Sequence, residues 1–104
     1  EFIGQVEVDI VRQYLLQNNP ANWMATWQAI SGFNALPRLS EIRVPTLVVA
    51  GDQDVATPLA ATETLTHSIL GARRAVLQGS PHMMQIENHA LFNHAVLTFL
   101  AETR

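Results

Sequence analysis

The sequence predicts an α/β fold built on a parallel sheet. Two short runs, "PTLVVAG" (residues 45–51) and "RAVLQG" (residues 74–79), are each followed by a loop and then by a segment of helical period. The first is rich in β-branched residues and does not alternate apolar with polar, which suits a strand covered on both faces. Strand, loop, helix, strand, loop, helix is the βαβα order of a parallel sheet with right-handed crossovers. Two parallel strands do not make a self-sufficient core, so the run reads as the C-terminal part of a larger, doubly wound, mostly parallel sheet.

Taken in order, residues 5–17 place Val6, Ile10, Val11, Tyr14 and Leu15 on one face of a first helix. "NNP" stops it. Asn19 is placed to cap a second helix with Pro20 at its first position, where a missing N–H costs nothing. That helix carries Trp23, Met24, Trp27 and Ile30 on one side, and Gly32 ends it. "FNALPRLSEIR" is a connector with at most one helical turn. These features divide the chain into a helical segment, residues 1–35, and an α/β segment, residues 36–104.

After the first strand comes the loop "DQDVATP". Thr57 is the expected cap and Pro58 the expected start of a helix to Leu70, with Gly71 as its stop. After the second strand comes "GSPHMMQIENHALF" (residues 79–92), in which Asn88 is the expected cap of a last helix and Glu87 a favourable charge at its start. Leu91, Phe92, Ala95, Val96, Phe99 and Leu100 form that helix's apolar stripe.

Composition narrows the function classes. Of 104 residues, 48% are hydrophobic and 14% charged, against roughly 25% charged in ordinary globular chains. Apolar surface is therefore expected to face another polypeptide or the rest of a larger protein. The net charge is −3, every cation is an arginine, and only Arg73 and Arg74 are adjacent. No basic footprint for nucleic acid exists. No apolar run is long enough to span a bilayer. The opening "EFIGQVEVD" has acids where a signal peptide would be basic, and it lacks an initiating methionine, so the natural start is expected upstream. The absence of cysteine excludes thiolate chemistry and fits a cytoplasmic protein.

Functional groups of doubly wound sheets collect at the carboxyl ends of the strands. Here "GDQD" offers Asp52 and Asp54, and "GSPH" offers His82. An acid from one strand end and a histidine from the next can orient an imidazole as a general base. The carboxylate takes the Nδ1–H and leaves Nε2 for a nucleophile's proton. The remaining histidines carry less. His67 sits in the middle helix. His89 and His94 are five apart, which does not align two imidazoles on one helical face, so no metal site is expected.

The pair "IRVPTLVVAGDQDVATP" and "GSPHMMQIENHALFNHAVLTFL" resembles the C-terminal third of the α/β-hydrolase superfamily, over about residues 36–102. The motifs are strand-G-x-x-D-x-x-x-P, a G-x-x-H loop, and a helix containing "FN" and ending in "FL". Residues 1–35 resemble the end of a cap region. The resemblance makes Asp54 the triad acid and His82 the triad base, and it leaves Asp52 a solvated loop residue. It implies that Gly51 and Gly79 let the backbone turn sharply out of each strand, and that Val55 and Met83 line the substrate pocket. Trp27 is a further pocket candidate on the cap side, although a Met/aromatic stripe at helical spacing also serves packing. No cofactor and no metal are implied.

The superfamily's nucleophile sits on a G-x-S-x-G elbow. Ser31, Ser40, Ser68 and Ser80 are the serines here, and none stands in that frame. The family order of nucleophile, acid and histidine implies a nucleophile N-terminal of residue 1, serine or aspartate, supplied by the N-terminal part of the same hydrolase. The expected activity is hydrolysis of an ester, lactone or related small-molecule acyl substrate, most similar to the enol-lactonase and carboxylesterase branch. Epoxide, haloalkane or C–C bond hydrolysis is the alternative within the fold. A non-catalytic fragment or interaction module is the alternative outside it.

Overall fold

A computed structural model describes residues 4–103; "EFI", on which part of the leader reading rests, lies outside the described residues. The chain divides into two compact units, Glu1–Ala35 and Leu36–Arg104.

The first unit is two helices, α1 (Gln5–Gln17) and α2 (Pro20–Gly32). Gly4 N–H donates to the Glu7 carboxylate at 3.0 Å at the start of α1. Asn19 Oδ1 accepts from Ala21 N–H at 2.8 Å at the start of α2, with Pro20 in first position as expected. No residue of either helix is buried. The stripe of α1 predicted from periodicity is therefore largely exposed, Tyr14 and Val6 most of all. Trp23 and Trp27 stack at a tilt, 6.4 Å between centroids. They help line an open groove of about 310 Å³ with Asn18, Asn22, Thr26 and Ile30.

The second unit begins with a 3-10 turn, Leu36–Glu41, and continues β1 (Leu47–Gly51), α3 (Leu59–Ser68), β2 (Arg73–Leu77), α4 (Met84–Glu87) and α5 (His89–Glu102). β1 and β2 pair in parallel, Leu47 opposite Arg73 through to Gly51 opposite Leu77. α3 and α5 both pack on this sheet. The core is small: Leu39, Ala50, Ile69, Leu77 and Met84. Leu47, Val48 and Val49 are only half-buried, because a two-stranded ribbon cannot cover a strand that its sequence suits to full burial. Arg73 ties β2 to α5, pairing with Glu102 and lying 5.6 Å from the centre of the Phe99 ring.

Four local expectations change. α3 ends at Ser68, not Leu70, because Ile69 leaves the helix in an extended conformation and is buried in the core. Gly71 then supplies a left-handed turn at φ 75° into β2. Thr57 makes no helix cap; α3 starts at Leu59 behind Pro58. An extra helical turn, α4, occupies residues that the sequence suggests are loop, and Glu87 closes it. It forms because Met84 finds a buried site.

Candidate active site

The acid and histidine loops leave β1 and β2 side by side, and backbone hydrogen bonds continue the sheet pairing beyond both strands. Asp52 N–H donates to Leu77 O at 3.2 Å, and Gln53 N–H donates to Ser80 O at 3.0 Å. The loops are thus zipped together before any side chain acts. Gly79 turns the chain out of β2 at φ 65°, where a side chain would be strained. Gly51 has another role than the expected turn. Its backbone is not left-handed, but a Cβ there would stand 2.1 Å from Ser80 O and 2.9 Å from Pro81 O. Glycine is needed at this position because the histidine loop crosses directly over it.

Asp54 and His82 meet across these loops, His82 Nδ1 lying 2.8 Å from Asp54 Oδ2. The Asp54 side chain is 3% exposed and that of His82 is 56% exposed. Asp54 Oδ1 accepts from the N–H groups of Ala56 and Thr57, each at 2.9 Å. Its Oδ2 accepts from the Thr57 hydroxyl at 2.5 Å. The Thr57 hydroxyl, the Thr57 N–H and His82 hold the carboxyl far below the usual carboxylate range, against the opposing effect of burial. Asp54 is therefore ionised and an acceptor only. The proton in the 2.8 Å contact belongs to His82 Nδ1, and Nε2 takes no part in that contact.

A second set of polar side chains fixes the histidine loop. Ser80 is 0% exposed. Its hydroxyl accepts from Asn88 Nδ2 at 2.8 Å and donates to Gln78 O at 3.4 Å. Ser80 N–H donates to Asp52 Oδ1 at 3.2 Å. Asp52 is thus not the solvated residue expected but a tie between the loops. Asn88 stands at the N-cap of α5, but its side chain makes no cap hydrogen bond there; its Nδ2 donates to Ser80 instead. Among the described residues, no buried side-chain nitrogen or oxygen lacks a partner.

The other expected site residues are placed as follows. Val55 follows Asp54 and is 96% exposed, and Met83 follows His82 with its side chain partly exposed. Trp27 belongs to the first unit, on α2. Three of the four serines are turned away from a nucleophile's role. Ser31 and Ser68 bond back to their own helices, and Ser80 is sealed. Thr57, Ser80 and Asn88 are the members of the site that the sequence reading misses. The D-x-x-T spacing of Asp54 and Thr57, typical of a carboxylate gathering the N–H groups ahead of it, was the available signal for the first.

Among the described residues, no group of three or more His, Asp or Glu could hold a metal ion, and no helix is long and apolar enough to cross a membrane.

Comparison with known proteins bears on the fold and the family. A 3-oxoadipate enol-lactonase of Acinetobacter baylyi is 33% identical over 82 residues, 79% of this chain and 30% of that relative. The crystal structure of an enol-lactonase from Burkholderia xenovorans superposes with a TM-score of 0.87 at 28% identity, covering 92% of this chain and 36% of that one. A hydrolase from Pseudomonas aeruginosa superposes at 0.85 and 32% identity, covering 93% of this chain and 36% of that one. This chain spans about a third of the length of these relatives. The family model described as TAP-like protein matches residues 12–104, and with the parallel strands and their paired loops it places the chain in that family, within the α/β-hydrolases.

Proposed function

We propose that this chain supplies the acid and base of a hydrolase triad whose nucleophile lies outside residues 1–104. The contact of a buried, ionised Asp54 with Nδ1 of a half-exposed His82 carries the reading. In the first step, a nucleophile's hydroxyl attacks the acyl carbon and its proton passes to His82 Nε2. The imidazolium so formed faces Asp54, which stabilises it without taking the proton. His82 then returns the proton to the departing alkoxide or enolate oxygen. In the second step, water attacks the acyl-enzyme and its proton passes through the same Nε2, which restores the nucleophile.

The substrate class is a small ester or lactone. The enol-lactonase relatives support a lactone with an enol leaving group. Val55 and Met83 directly follow Asp54 and His82 in sequence and are assigned to the wall of the substrate pocket.

The test is fluorophosphonate labelling of the natural protein, together with any chain that accompanies these 104 residues, and turnover of a p-nitrophenyl ester and an enol-lactone. A serine is expected to be labelled, and His82→Ala is expected to lower turnover by at least about 10³-fold. Epoxide turnover without labelling would assign an aspartate nucleophile. An absence of labelling together with an absence of ester, lactone and epoxide turnover would overturn the hydrolase reading in favour of an interaction module.

A further inference from the structure

We propose that Thr57 is a positioning residue whose hydroxyl holds Asp54 Oδ2 in line with His82 Nδ1, so keeping the imidazole in one orientation and one tautomer. The proposal rests on reading Asp54 and His82 as the acid–base pair.

Three atoms meet in a closed triangle. Thr57 Oγ1 lies 2.5 Å from Asp54 Oδ2 and 3.3 Å from His82 Nδ1, and Nδ1 lies 2.8 Å from the same Oδ2. The hydrogens within it can be assigned. An ionised carboxylate only accepts, so the hydroxyl proton and the Nδ1 proton both point to Oδ2. The hydroxyl oxygen keeps its lone pairs towards the imidazole edge, where it is a second and longer acceptor for the Nδ1–H. A ring flipped about its bond to Cβ would set a C–H against both oxygens and lose the contact with each.

Packing cannot supply this orientation, because the His82 side chain is 56% exposed. Hydrogen bonds must. Thr57 is itself well held: its N–H donates to Asp54 Oδ1 at 2.9 Å, and Pro58 follows with φ −64° at the start of α3. The hydroxyl therefore arrives on a braced turn, and its proton fixes Asp54 Oδ2 from beside the imidazole edge. Valine keeps the shape of threonine and loses the donor; serine keeps the donor.

The experiment is NMR of the natural protein, with any chain that accompanies these 104 residues, carrying ¹⁵N-labelled histidine and following the His82 Nδ1 proton and the tautomer pattern of the ring nitrogens. The wild-type chain is expected to show a protonated Nδ1 with a low-field, slowly exchanging proton. Thr57→Val should speed exchange of that proton about tenfold, the size of effect expected from one hydrogen bond to a charged group, and should mix the two tautomers. Thr57→Ser should restore the wild-type pattern. His67, His89 and His94 report in the same spectrum that the fold is unchanged, and Thr57→Ala replaces the valine variant if that one does not fold. A wild-type signal unaltered in the valine or alanine variant would overturn the role of Thr57 and leave the acid–base pair standing. A wild-type His82 protonated at Nε2 instead would overturn the pair itself, and Thr57's role with it.

Discussion

The carbonyl oxygen of Ser80 occupies the space beside Gly51 where a Cβ would stand, at a distance of 2.1 Å from it. That oxygen also accepts from Gln53 N–H at 3.0 Å, so it cannot move aside without opening the joint between the loops. The obstacle is backbone on both sides, not the flexible end of a side chain. Gly51→Ala is therefore expected to destabilise the chain by about 1–3 kcal/mol and to displace His82 from Asp54. Urea unfolding and the His82 Nδ1 proton signal measure the two effects, and an alanine variant with unchanged stability would contradict the close approach.

Ser80 and Asn88 should behave as one unit. Ser80→Ala leaves a partly buried amide without its acceptor, and Asn88→Ala leaves a fully buried hydroxyl without its donor. Each is expected to cost about 1–3 kcal/mol. The double variant should cost clearly less than the sum, because the second change removes a group that the first has already orphaned. A double-mutant cycle by denaturant unfolding reads the coupling, and strict additivity would show that the two side chains act independently.

The parts of the site that can be read from the sequence are those whose meaning is local. Asp54 and His82 each follow a strand directly, and strands that pair in parallel deliver both loops to one edge. Asn19 with Pro20 is equally local, one cap bond spanning two residues. The residues misread are those whose partners are distant in sequence. Asp52 bonds to Ser80, and Thr57 meets a histidine on the other loop. Threonine or asparagine ahead of a helix has the same propensity whether its side chain caps that helix or reaches elsewhere. Gly51 looks like a turn glycine for the same reason: what forbids its side chain is the histidine loop, nearly thirty residues further on. The apolar stripe of α1 is legible as a helix face, but periodicity does not say what covers it.

The acid side of the stability profile should carry the signature of Asp54. Its folded-state carboxyl is held below the ordinary range by the Thr57 hydroxyl, the Thr57 N–H and His82. The unfolded chain therefore binds a proton that the folded chain still refuses, and stability rises with pH through that window. The contribution is fully present above the ordinary carboxylate value and is lost as the pH falls from about 5 downward. Asp54→Asn should be less stable near neutrality and show a flatter profile below pH 5. Urea midpoints measured across that range test this, and parallel profiles for the two proteins would show that Asp54 gains nothing from its partners.

The two aspartates of "GDQD" should separate cleanly when each is changed to asparagine. Asp52 acts through one oxygen, Oδ1 accepting from the uncharged Ser80 N–H at 3.2 Å. An asparagine oxygen can accept the same bond, so Asp52→Asn should leave the histidine loop in place and cost less than about 1 kcal/mol. Asp54 acts through its charge and through both oxygens at once, accepting two backbone N–H groups, a hydroxyl and the imidazole. Asparagine cannot accept at both positions, and its amide would meet the Thr57 hydroxyl and Nδ1 with hydrogens of its own. Asp54→Asn should therefore abolish the low-field Nδ1 proton, while Asp52→Asn preserves it. The reverse outcome would move the role of triad acid from Asp54 to Asp52.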